Sequence, residues 1–202
     1  KLRIITDAIP VAVMIHQDDR WIYANKASDM ITGYSVRELI GTHFWDIVHP
    51  DHVQFVREQG QRRQRGEAAN NRYEFRIITK EGGEKWVELT GAPMVIGTEP
   101  AGAVSMTDIT DRKSAEEAHS EDVAKYRALF ESANDAIFLL KDERIMDCNS
   151  KTLEMFSCTR EQIVGETLYG FSPLLQSIGV SSKETIIRKI TTALSGEPQS
   201  FE

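Results

Sequence analysis

The chain has 202 residues, with 24 Lys+Arg against 31 Asp+Glu and a formal net charge of -7. Hydrophobic residues at 41% and charged residues at 27% are ordinary for a globular protein, and the length allows one large domain or two small ones. The acidic balance argues against nonspecific nucleic-acid binding, no apolar run approaches the ~20 residues of a bilayer span, and Cys148 and Cys158 form neither a disulfide framework nor a CxxC pair.

Short strands are predicted at Ala12–Ile15 and Trp21–Ala24, joined through the charged turn Asp18-Asp19, which is a hairpin pattern. Asn25 stands where a short helix should begin, the place of an N-cap side chain. Ser35-Val-Arg-Glu38 is a capping box, and its helix stops at Gly41. Pro50 suits the first turn of a helix reaching about Gly66. Three strands follow. Tyr73, Phe75 and Ile77 alternate with Glu74 and Arg76; Val87 and Leu89 alternate with Trp86, Glu88 and Thr90; after a Gly97–Pro100 loop, Val104 and Met106 alternate with Ala103 and Ser105. Two strands, several helices and three strands imply an α+β fold, an antiparallel sheet with helices on one side. Thr110–Asn134 contains no Gly or Pro and reads as one helix, with Val123, Tyr126, Phe130 and Ala133 at helical spacing in its C-terminal half.

Beyond that helix the same signals return. A shift of 124 positions pairs Lys1-Leu-Arg3 with Lys125-Tyr-Arg127, and Ala12, Asp18, Arg20, Asn25 and Gly41 with Ala136, Asp142, Arg144, Asn149 and Gly165, with no gap. The second copy has its own hairpin strands (Ala136–Leu140 and Ile145–Cys148), its own capping box in Thr159-Arg-Glu-Gln162, and the same closing glycine. A period of this size marks a tandem of like domains. The expected division is a first domain at 1–110, a junction helix at 111–134 and a second domain at 135–202. The shift maps the first copy's strands from Tyr73 to Asp108 onto positions 197–232, whereas the sequence given ends at Glu202. The second copy is therefore expected to be incomplete, lacking its last three strands.

This organisation resembles the PAS family of sensory domains. The residues that carry the resemblance are Ala24-Asn25, Thr32-Gly-Tyr-Ser35 leading to Glu38-Leu-Ile-Gly41, His49-Pro-Asp51, Gly83-Glu-Lys-Trp-Val87 and Asp108-Ile-Thr110-Asp-Arg-Lys113; in the second copy they are Cys148-Asn149, Glu161-Gln-Ile-Val-Gly165 and Phe171-Ser-Pro173. The resemblance implies a five-stranded antiparallel sheet in the order 2-1-5-4-3, with helices enclosing a small pocket. By strand and helix parity the pocket candidates are Met14, Met30, Phe44, Phe55, Phe75, Ile77, Leu89 and Met106. It also implies a signal relay at the strand-to-helix junction, with Asp108, Thr110 and Arg112 as the candidate residues.

The family holds haem, flavin, small organic ligands, metals or nothing, so the site has to decide. Photoactive flavin members carry a cysteine in the stretch matching Gly41-Thr-His-Phe-Trp-Asp46, which has none. Haem members place a histidine a few residues beyond the Pro-Asp, and that count reaches Phe55; His52 belongs to the helix's first turn and should face solvent. No cofactor is expected. His43, Asp46, His49 and His52 could be imagined as metal ligands, but His49 belongs to the His-Pro-Asp helix start and no metal site is expected. Arg57, Arg62, Arg63 and Arg65 read as a solvated helix face, and His119 as a solvent-facing residue outside any phosphoacceptor pattern. No nucleophile–base pair or phosphate-cradling loop emerges. The expectation is a non-catalytic sensory tandem, cytoplasmic within a parent that could be membrane-anchored. It would relay a small-ligand or partner signal to an output domain, foremost a histidine kinase, and pair as a homodimer through its flanking helices and sheet face. It would contact neither nucleic acid nor membrane. The alternatives are a ligand-free dimerisation scaffold and a haem or metal sensor.

Overall fold

A computed structural model of the chain describes residues 11–67, 69–171 and 181–197. The Lys1–Arg3 end of the repeat and the Ser172-Pro173 part of the second copy's motif lie outside them. The chain divides into two compact units, residues 1–118 and 119–202.

The first unit opens with strands β1 (Ala12–Gln17) and β2 (Arg20–Ala24), followed by helices α1 (Ala27–Thr32), α2 (Val36–Leu39) and α3 (Pro50–Gln64). Strands β3 (Arg72–Ile78), β4 (Glu84–Ile96) and β5 (Glu99–Asp108) complete an antiparallel sheet in the order β2-β1-β5-β4-β3. Alternating inward side chains of that sheet, among them Met14, Phe75, Ile77, Val87 and Met106, meet Ile31, Leu39, Phe44 and Val56 from the helical side to form one core. The β4–β5 hairpin is longer than its sequence pattern suggests. Ile96 pairs with Glu99, so the expected loop shrinks to a turn at Gly97, whose φ is +64°. Beyond Gly91 most of β4 is exposed, and a strand solvated on both faces shows no hydrophobic alternation. Helix α4 (Thr110–Ser132) follows β5.

In the second unit, β6 (Phe138–Lys141) and β7 (Arg144–Cys148) form a hairpin, followed by α5 (Ser150–Phe156), α6 (Arg160–Ile163), a 3-10 turn at Leu168–Phe171 and α7 (Ser182–Leu194). Its small core gathers Ile145, Cys148 and Ile163 with Phe138, Leu140, Leu153 and Phe156, and burial pushes the Cys148 thiol's pKa up.

The 124-residue repeat extends to individual atoms. Both hairpin turns hold their two central residues in the left-handed region, Asp18 and Asp19 at φ +47° and +64°, Asp142 and Glu143 at +50° and +65°, as a type I′ turn requires. Both first strands slip register at the same place, between Ile15 and His16 and between Leu139 and Leu140. Asn25 accepts from Val13 N–H and donates to the Val11 carbonyl, each at 2.9 Å; Asn149 does the same with Ile137 and Asp135 at the same distances. The shared work of these asparagines is to pin the first strand, and Asn149 also caps α5 by accepting from Thr152 N–H at 3.0 Å. Gly41 and Gly165 sit at φ +89° and +90°, and their carbonyls accept from Arg20 and Arg144 at 2.5 and 2.6 Å. Only glycine adopts that backbone without strain. Among the described residues no helix is long and apolar enough to cross a membrane.

Candidate functional site

Between the inner face of the first sheet and α3 lies a small cavity. Its volume is about 20 Å³, room for a water or a very small molecule. Met14, Phe44, Phe75, Leu89 and Met106 line it. The other three apolar candidates do not. Ile77 is fully buried in the core but stays outside the lining. Met30 is 69% exposed, because the short α1 turns Ala27 and Ile31 inward instead. Phe55 is 42% exposed, and its ring meets the outer side of the wall, edge-on to Tyr73 at 5.1 Å.

Residue parity missed the four lining residues that carry polar atoms: His16 from β1, Trp21 from β2, Arg63 from α3 and Tyr73 from β3. All four are buried, Arg63 and His16 to 1% exposure. Arg63 therefore departs from the solvated arginine face expected of α3. The helix turns Val56, Gln59, Gly60 and Arg63 inward as one stripe, while Arg62 and Arg65 pair with Glu58 and Glu67 on the outside. The core makes room for these side chains with glycines. A Cβ on Gly102 would stand 2.1 Å from His16 Nε2, one on Gly91 would stand 2.5 Å from Arg63 Nε, and one on Gly60 would stand 2.3 Å from the Phe44 ring.

Burial first, and the Arg63 charge second, hold the His16 imidazole down to about 4, against opposing pulls from Gln64 and Asp19. It is neutral at pH 7. Neither of its nitrogens reaches a partner in hydrogen-bond geometry, Gln64 included; Trp21 Nε1 and Arg63 Nε are likewise unpartnered, and the Tyr73 hydroxyl lies near the Arg63 guanidinium without reaching hydrogen-bond geometry. Burial raises the Tyr73 pKa, and the nearby guanidinium only partly offsets it.

At the other end of the sheet, β5 passes into α4 through a closed set of contacts. Asp108 Oδ1 accepts from the Thr110 N–H at 3.0 Å and its hydroxyl at 2.6 Å, and Thr110 Oγ1 accepts from Trp86 N–H at 3.1 Å. Lys85 lies 3.0 Å from Asp108 Oδ2. Burial raises the Asp108 carboxyl, but the Thr110 bonds and Lys85 outweigh it and hold the pKa below its ordinary value. One turn on, Arg112 and Lys113 grip Glu74 of β3 at 2.7 and 2.6 Å, and these bonds hold the Glu74 pKa at about 2. Three strands thus share one helix start.

The histidines considered as metal ligands have separate packing roles. His43 stacks on Trp45 at 4.6 Å, His49 accepts from Asp51 N–H at the start of α3, and His52 meets the Trp86 ring at 5.9 Å. His52 is half-covered rather than solvent-facing, and its pKa is lowered by burial and then by Arg76. Among the described residues no three His, Cys, Asp or Glu side chains gather as a metal site would require. A haem or flavin does not fit the cavity as formed: its space is too small for either ring system, and the histidine lining it is wedged against Gly102.

Residues 10–111 match a family model described as PAS domain, and residues 124–191 match a second one of the same description. The chain belongs to the PAS domain family. Among curated proteins this PAS chain is 30% identical over 139 residues to y4lL, an uncharacterized protein of Sinorhizobium fredii, covering 67% of this chain and 17% of that one. It is 26% identical over 153 residues to the oxygen sensor protein DosP of Escherichia coli, covering 72% of this chain and 18% of that one. The chain thus spans less than a fifth of the length of either relative. Among solved structures, a sensory box histidine kinase/response regulator from Burkholderia thailandensis aligns with a TM-score of 0.49 at 18% identity, over 63% of this chain and 98% of that one.

Proposed function

We propose that the chain is the sensory region of a signalling protein. In this reading its first PAS domain detects a small ligand in the cavity and passes the change through the Asp108–Thr110–Arg112 junction into α4, toward an output domain, foremost a histidine kinase. The observation that carries the reading is the junction itself. Bonds from β3, β4 and β5 converge on the first turn of α4, so a small tilt of the sheet that encloses the cavity changes the angle at which the helix leaves. The division into domains at 1–110 and 135–202, with 111–134 between them, is part of this reading.

Asp108→Ala removes the acceptor shared by the Thr110 N–H and hydroxyl and the partner of Lys85, at a site only partly buried. The variant should keep the fold, and in the parent protein it should uncouple output from stimulus. Unchanged regulation of output in that protein would refute the relay.

A specific observation also favours homodimerisation. Val123, Tyr126 and Leu129 stand exposed along α4, apolar side chains spaced three residues apart on one helix face. Sedimentation of the chain at micromolar concentration should give the mass of two copies, and Leu129→Glu should return it to one. A wild-type chain that sediments as a single copy at every concentration removes this part of the reading.

A further inference from the structure

The repeat offers an internal control for the cavity's polar lining. The register slip that turns His16 inward, opposite Trp21, recurs in the second copy, where the paired residues are Leu140 and Ile145. The fold builds this hairpin with two apolar side chains in one copy and with an imidazole and an indole in the other. The polar pair is therefore not a requirement of the architecture.

Arg63 raises the same question more sharply. A guanidinium does not lose its proton in a protein interior, so its burial has to be compensated. Arg63 Nη2 donates to the Asn70 carbonyl at 3.2 Å, and its ring neighbour is Tyr73 at 5.9 Å. Both are neutral. Among the described residues it has no carboxylate within ion-pair distance, although Arg62 on the same helix and Arg65 at its C-cap both do. Its Nε–H has no acceptor, and neither does the Trp21 indole N–H on the same cavity. Both groups can only donate. The Tyr73 hydroxyl and one nitrogen of the neutral His16 can donate as well. The cavity therefore carries a fixed positive charge and a surplus of donors in an otherwise apolar wall, with Gly91 and Gly102 keeping open the space that Arg63 and His16 occupy.

We propose that this cavity binds a small planar oxyanion, of the carboxylate or nitrate class, through Arg63, Trp21, Tyr73 and His16. The inference rests on the ligand-sensing reading above and gives that ligand a chemical class. An oxyanion supplies the missing counter-charge and presents several lone pairs to the unpartnered donors of the lining. The available space favours the smallest members of that class, formate first. A neutral isostere satisfies some of the donors but leaves the guanidinium uncompensated.

The test uses the whole chain labelled with nitrogen-15, titrated at constant ionic strength with sodium formate, sodium acetate, sodium nitrate or acetamide. The chain has three tryptophans, and of these only Trp21 lines the cavity. At least one of the three anions should move the Trp21 indole N–H resonance along a saturable curve and leave those of Trp45 and Trp86 in place. It should bind at least tenfold more tightly than acetamide. Arg63→Gln should weaken the response at least tenfold, and a second variant, Trp21→Phe, should weaken calorimetric binding should the first fail to fold. Absence of a saturable response to all three anions overturns the proposal. Binding of acetamide as tight as that of the anions overturns the oxyanion class while leaving the ligand-sensing reading standing.

Discussion

Gly102→Ala is expected to destabilise the first PAS domain by about 3 kcal/mol, near the upper end for adding a methyl group to a packed core. Gly102 lies on β5 directly opposite His16 in the β1–β5 register. The added Cβ would stand 2.1 Å from His16 Nε2 and 2.7 Å from Cε1. The ring cannot swing away cheaply, because Phe44 lies 4.6 Å and Trp21 6.0 Å from it, centroid to centroid. The penalty is one of space, since the Gly102 backbone lies outside the left-handed region. His16→Ala should therefore rescue it. Alone, that substitution leaves a cavity and should lower stability by about 2 kcal/mol. Combined with Gly102→Ala, it should be no less stable than His16→Ala by itself. Urea unfolding of the three variants decides the point: additive losses in the double variant would show that the clash lies elsewhere.

How legible the molecule is in its sequence divides along the range of the physical signal. The hairpin turns, the Ser35–Glu38 and Thr159–Gln162 boxes and the glycines that end the short helices are local devices, and each was readable from a few adjacent residues. The five-strand order came with the family resemblance, since alternation alone does not tell which strands pair. Met30 faces outward against the parity expectation because α1 has only six residues, less than two turns, too few for periodicity to fix its inward face. Arg63 was hidden by its neighbours, because four arginines on one helix look alike until the phase of Val56 and Gly60 is followed to position 63. Signals for the cavity did exist. Gly91 and Gly102 interrupt strand patterns, as glycines do where another group approaches closely. The repeat itself sets His16 against Leu140 and Trp21 against Ile145. A polar residue standing where its own copy is apolar is a difference that the framework shared by the two copies does not explain.

The same histidine should set the chain's response to mild acid. In the folded protein the imidazole stays neutral down to about pH 4, while in the unfolded chain it takes a proton below its ordinary 6.5. Between those values the unfolded chain binds more protons than the folded one, so stability rises with pH across the window and falls as the pH is lowered through it. At ~1.4 kcal/mol for each tenfold change in proton affinity, the full loss by pH 4 is about 3 kcal/mol. The groups acting on His16 are Arg63 from α3, which opposes its protonation, and Asp19 in the hairpin turn and Gln64 at the end of α3, which favour it. His52 shifts in the same direction but is only partly buried and adds little. The depressed carboxylates Glu38 and Glu74 contribute in a different window. Their folded values are near 2 against an ordinary 4.5, so the stability they lend is intact above 4.5 and is lost as the pH falls toward 2. Between pH 6.5 and 4.5 the slope therefore belongs mainly to His16. Chemical denaturation at half-unit pH steps should show it in the wild type, and His16→Phe, which fills the site with a ring that cannot titrate, should flatten most of it. A wild-type slope that survives unchanged in His16→Phe would assign the acid sensitivity to other groups.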